Sequence, residues 1–105
     1  MKLSLLFFFT LVMSSAAYPA CNVSSARDVQ RMLSSMGSWR ELDGTIIFKW
    51  GAEWDDLATP ERLNMITTFA DSDACLQGRP RRIDFYRKGK LVGRASPDSG
   101  IRLTD

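Results

Sequence analysis

Thr45-Ile46-Ile47-Phe48-Lys49-Trp50 is β-branched and aromatic almost throughout, follows the turn signal Asp43-Gly44 and stops at Gly51. Such a nearly continuous apolar run predicts a central strand, covered on both faces. Downstream, Thr59-Pro60-Glu61 predicts a helix start: Thr caps, Pro takes the first helical position and Glu meets the positive end of the dipole. Leu63, Ile66, Phe69, Ala70 and Ala74 share one side of that helix, with Met65 at its edge. The predicted helix covers 60–70 and extends toward Leu76 before Gly78, with a break near Asp71 because Asp73 falls inside the apolar arc. Ile83-Asp84-Phe85-Tyr86 alternates, Arg87-Lys88-Gly89 makes a turn and Lys90-Leu91-Val92 returns, which predicts a hairpin closed by a type I turn with a glycine bulge. That register puts Ile83, Phe85 and Leu91 on the core face. Strand, helix and strand then form a right-handed parallel crossover.

Upstream, Ser25-Ala26-Arg27-Asp28 looks like a capping box with Asp in the place of Glu. Ala26, Val29, Leu33 and Met36 follow as one helical stripe, so a first helix is expected over 25–36, with Gly37 as its stop. At the far end Ile101 and Leu103 suggest a short edge strand. The order is helix, strand, helix, strand, strand. The expected fold class is α+β: a small single domain with helices on one face of a three- to four-stranded mixed sheet.

The chain begins with Lys2, an apolar run from Leu3 to Met13 and then small residues. This pattern predicts a secretory signal peptide over residues 1–17, cleaved after Ala17, where Ser15 and Ala17 supply the small −3 and −1 positions. The run is about 11 residues, against the about 20 that a membrane-spanning helix needs. Residues 18–105 are then the mature domain, and a periplasmic or secreted location is expected. In that oxidising setting Cys21 and Cys75 are expected to form a disulfide. It closes a loop of about 55 residues, worth about 4 kcal/mol in the chain-entropy model. Lipidation of Cys21 is the alternative, for which Tyr18-Pro19-Ala20 is a poor preceding triplet.

The 105 residues contain no histidine. Ser-His-Asp and Cys-His catalysis, His-bearing zinc sites and imidazole switches are therefore excluded. Asp71-Ser72-Asp73 and Glu53-Asp55-Asp56 lack the alternating oxygen ligands and central glycine of a calcium loop. No catalytic residue, metal ligand or cofactor is assigned, and no enzymatic activity is expected.

Two segments resemble pieces of a thioredoxin. Phe48-Lys49-Trp50-Gly51-Ala52-Glu53-Trp54 is similar to the strand end and tryptophan pair that lead into that family's redox motif. Gly78-Arg79-Pro80 through Phe85, with Lys88-Gly89-Lys90, is similar to its cis-proline strand and hairpin. The resemblance implies a thioredoxin-like scaffold and a cis Arg79-Pro80 bond. Where the family's Cys-x-x-Cys follows the second tryptophan, this chain has Asp55-Asp56-Leu57-Ala58, so dithiol activity does not carry over.

Charge is segregated along the chain. Glu41 to Asp73 holds eight acidic residues against Lys49 and Arg62, net −6, while Arg79 to Arg94 holds seven basic residues against Asp84, net +6. Such a layout can steer an oppositely charged partner. It can also mean that the two segments face each other. The expected function is non-enzymatic binding of an envelope or secreted protein, of the inhibitor, immunity or accessory-subunit type, through a basic hairpin. Arg81, Arg82, Arg87, Lys88 and Lys90 supply its charge, and Tyr86 and Trp54 its aromatic anchors. The alternatives are a degenerate thioredoxin-like domain and a module for anionic lipid or glycan. Nucleic acid is not expected, since the mature chain carries near-zero net charge.

Overall fold

The computed structural model describes residues 21–104; the signal-peptide assignment to 1–17 lies outside them. The elements are α1 (Val23–Leu33), β1 (Gly37–Leu42), β2 (Thr45–Trp50), a short 3-10 turn (Ala52–Asp56), α2 (Thr59–Gln77), β3 (Ile83–Arg87), β4 (Lys90–Ser96) and β5 (Gly100–Leu103). One mixed sheet runs in the order β1-β2-β3-β4-β5. β2 and β3 pair in parallel across α2, and the other neighbours are antiparallel. The α+β class holds, with five strands instead of three or four. The additional strand is β1, Gly37-Ser38-Trp39-Arg40-Glu41-Leu42, whose exposed polar residues resemble a loop in sequence.

Local chemistry sets the boundaries. Asn22 caps α1: its Oδ1 accepts the Ser25 N–H at 3.0 Å, and Asp28 pairs with Arg31 at 2.8 Å instead of closing a capping box. The helix ends at Leu33, where the Ser34 and Ser35 hydroxyls donate to the carbonyls of Arg31 and Met32. Gly37 is therefore the first residue of β1 and not a helix stop. A Cβ there would stand 2.5 Å from Phe48 Cε1 and 2.6 Å from the Lys49 carbonyl oxygen. At α2 the Glu61 carboxylate accepts the Ala58 N–H at 2.8 Å. The helix then runs unbroken past Asp71 to Gln77, because Arg81 neutralises Asp73 inside the apolar arc.

Both hairpin turns are two-residue loops with positive φ at each position: 52° and 84° at Asp43 and Gly44, 53° and 78° at Lys88 and Gly89. That is the type I′ geometry, which matches strand twist, and it replaces the type I turn expected at Lys88-Gly89. The bulge lies further along. Tyr86 pairs with Leu91 and Phe85 with Gly93, so Val92 is the extra residue on β4. Val92 consequently enters the core at 3% exposure, while Leu91, expected there, lies opposite Tyr86.

α1 and α2 cover one face of the sheet. Leu33, Ile66 and Phe69 from the helices meet Ile46, Phe48, Trp50, Ile83 and Phe85 from the strands, all buried. Phe48 lies 4.7 Å from Phe69 and 5.3 Å from Trp39, centroid to centroid. Such ring pairs add about 0.5–1.5 kcal/mol each beyond area burial. The Cys21–Cys75 disulfide joins the N-terminal end of α1 to the C-terminal part of α2, with Cα atoms 5.6 Å apart. Neither thiol is free. Among the described residues no helix is long and apolar enough to cross a membrane. The Arg79-Pro80 bond is trans, against the cis bond that the thioredoxin resemblance implies.

Candidate functional site: the uncovered sheet face

With period-2 alternation, the side chains that do not meet the helices share the opposite face of the sheet. Register places Ser38, Arg40 and Leu42 of β1 there, beside Thr45, Ile47 and Lys49 of β2 and Asp84 and Tyr86 of β3. Arg94 and Arg102 continue the face on β4 and β5. No described element covers it, so β2 is covered on one face and not on both as its apolar run suggests: Lys49 is exposed and Thr45 and Ile47 are half-buried. Its β1–β3 half forms a groove of about 490 Å³ lined by Arg40, Leu42, Ile47, Lys49, Tyr86 and the Lys88-Gly89 turn, with Trp50 at its end. Ile47 and Tyr86 form a half-buried floor, and Arg40, Lys49 and Lys88 are exposed around it. No carboxylate among the described residues lines this groove. In the other half, Asp84 is buried under two guanidinium groups, with its Oδ1 2.9 Å from Arg94 Nε and 3.3 Å from Arg82 Nε.

The basic residues singled out in the sequence divide between the two faces. Arg82 and Lys88 belong to the open face, together with the aromatic Tyr86. Arg81, Arg87 and Lys90 belong to the helix side, where the two arginines are held by acids of the −6 segment. Arg81 grips Asp73 through Nη2–Oδ1 at 2.6 Å and Nε–Oδ2 at 3.0 Å, and reaches Glu41 at 3.1 Å. Arg87 grips Asp55 through Nη2–Oδ2 at 2.8 Å and Nε–Oδ1 at 3.1 Å. The bonds to Asp73 and Asp55 raise the Arg81 and Arg87 guanidinium pKa values. The Arg87 hydrogen bond also holds the Asp55 carboxyl below its ordinary range. Lys90 is exposed at the strand position opposite Arg87.

Trp54 is not a surface anchor. It is 1% exposed, stacked on Trp50 at 4.9 Å and covered by the Arg62 guanidinium 5.0 Å from its ring. Its burial follows from the 3-10 turn, which folds Ala52–Asp56 back under the start of α2. Tyr86 stands on the face opposite Ile83 and Phe85, as its alternation predicts.

Arg40, Leu42, Ile47 and Lys49 line the groove but are not among the residues that the sequence assigns to a binding site. The signal for two of them was the Ile47/Lys49 alternation within the β2 run; for Arg40 and Leu42 there was none without β1. Among the described residues no cluster of three or more His, Cys, Asp or Glu side chains could hold a metal ion. The arrangement has room for an apolar or aromatic side chain beside three cations. No family model, curated protein or solved structure matches this chain.

Proposed function

We propose that the protein acts outside the cytosol, in the periplasm or beyond, as a non-enzymatic binding module for an acidic surface of another envelope or secreted protein. An inhibitor, immunity factor or accessory subunit would work in this way. The observation that carries the reading is the groove on the uncovered face, with half-buried Ile47 and Tyr86 as its floor, exposed Leu42 beside them, a rim of Arg40, Lys49 and Lys88, and no carboxylate among the described residues lining it. An apolar centre with a charged rim is the anatomy of a protein interface, and tyrosine and arginine are favoured anchors there. The cationic rim would steer encounter with an acidic partner. The extracytosolic address is supported by the leader pattern of residues 1–17 and by the Cys21–Cys75 disulfide.

The test compares the C-terminally tagged full-length gene product with the triple variant Arg40→Glu/Lys49→Glu/Lys88→Glu. Each is immobilised and exposed to envelope extract and, separately, to phosphatidylglycerol vesicles. A stoichiometric acidic protein retained by the native chain, released by salt and lost with the triple variant is the expected result. Equal retention by both chains, or retention of vesicles alone, overturns it; the second outcome would make the face a lipid site.

A further inference from the structure

We propose that the acidic partner binds by adding an extended segment along the free edge of β1, as a sixth strand whose alternate residues are acidic. This rests on the reading of the open face as a cationic docking surface and adds a backbone component to it.

The edge is available. The two-residue turn at Asp43-Gly44 makes Leu42 and Thr45 a hydrogen-bonded pair, and the pairs Arg40–Ile47 and Ser38–Lys49 follow in step. Trp39 and Glu41 therefore direct their N–H and C=O groups away from β2. No backbone hydrogen bond among the described residues reaches them. β1 pairs over six residues without a register shift and carries no proline. Natural edges are usually blunted by shortness, a bulge, proline or charged side chains, and of these β1 carries charge alone, at Arg40 and Glu41. The opposite edge, β5, is only four residues long and follows Pro97 closely.

Charge selects the segment. A strand laid on β1 continues the pleat, so every second residue joins the open face beside Ser38, Arg40 and Leu42. Arg40 lies at the middle of that row and Lys49 stands opposite Ser38 on the next strand, so a carboxylate beside Arg40 meets its guanidinium and one beside Ser38 lies toward Lys49. The intervening residues join the helix side next to half-buried Trp39, where apolar side chains fit. Alternation of acidic and apolar residues satisfies both faces, and main-chain bonds provide the common affinity of strand addition.

The probe is a ten-residue peptide of alternating Asp and Val, beside a peptide of the same composition with the Asp residues grouped. The alternating peptide is expected to bind about tenfold more tightly, and Glu41→Pro to lower its affinity about tenfold by removing one edge N–H and blocking approach. Glu41→Ala keeps the N–H and removes an exposed carboxylate, and is expected to bind at least as tightly as the native chain. In the native chain, amide exchange at Trp39 and Glu41 should slow on binding while the β5 edge is unchanged, a readout independent of how well Glu41→Pro folds. Equal affinity for both peptides with unprotected Trp39 and Glu41 amides overturns strand addition and leaves the cationic docking face standing. Binding of neither peptide, together with equal extract retention by the Arg40/Lys49/Lys88 variant, overturns both. A native dimer that Glu41→Pro converts to monomer makes the occupant a second copy and overturns the acidic partner.

Discussion

Asp73 tests how the domain tolerates its charge. Its side chain is 5% exposed and meets Arg81 at 2.6 Å, itself 11% exposed, and Glu41 reaches the same guanidinium from the surface at 56% exposure. Removing one partner of a buried ion pair costs about 3–5 kcal/mol, because the other charge is left uncompensated. In Asp73→Ala, Glu41 still contacts Arg81, which places the loss near about 3 kcal/mol. At a urea m-value of about 1 kcal/mol/M, suited to a domain of this size, the unfolding midpoint falls by about 3 M. Replacing both partners by apolar residues, Asp73→Leu/Arg81→Met, should recover most of the loss, so that in the double-mutant cycle the double variant is more stable than Asp73→Leu or Arg81→Met alone. The measurement is urea denaturation followed by tryptophan fluorescence and far-UV dichroism. A midpoint shift under about 0.5 M for Asp73→Ala, or a double variant as unstable as the two single losses added together, would refute the reasoning.

Acid should act through Asp55. Its folded pKa is lowered by the Arg87 hydrogen bond, so its contribution is present above the ordinary carboxylate value and is lost as pH falls through the lowered one. Asp55→Asn should therefore lower the melting temperature at pH 7 and flatten its decline below about pH 4, and parallel pH–melting curves for the two chains would contradict this. Lys88 sits at φ 53°, in a left-handed conformation that asparagine tolerates better. Lys88→Asn should raise stability by about 0.5–1 kcal/mol, or the melting temperature by about 3–6 °C, while weakening retention of the acidic partner. An unchanged melting temperature would count against strain at this turn.

The elements legible in the sequence are those whose signals are local. The β2 run, the Glu61 start of α2, the Ile83/Phe85 alternation and the Ala26–Leu33 stripe each state their own structure. What could not be read depends on contacts made elsewhere. β1 is visible only once Trp39 has Phe48 and Phe69 to pack on, since Arg40, Glu41 and Leu42 remain exposed. α2 passes Asp71 because of an arginine that follows the helix. Val92 replaces Leu91 in the core because the bulge lies past the turn. Likewise, the segregation of charge is plain in the sequence but its pairing is not: Arg81 finds Glu41 across 40 residues and Arg87 finds Asp55 across 32. A hairpin that looks like a basic patch is thus half committed to holding the acidic segment in place.

The chemistry of the cations follows the same division. Arg81 and Arg87 each present Nε and a terminal nitrogen to one carboxylate, a fork that lysine cannot form. Lys49, Lys88 and Lys90 are exposed and take part in no ion pair among the described residues. As compact, hydrated point charges on flexible stems they contribute field more than fixed geometry, which suits steering. Arg40 departs from this pattern, being an exposed arginine on the rim of a groove that no carboxylate among the described residues lines. Among the described residues its fork is the one arginine fork in the groove, and it stands at the middle of the strand whose outer edge they leave unpaired. Long-range attraction from the lysines and a directed carboxylate contact at Arg40 would then act in sequence, the first raising the encounter rate and the second fixing the register of what binds.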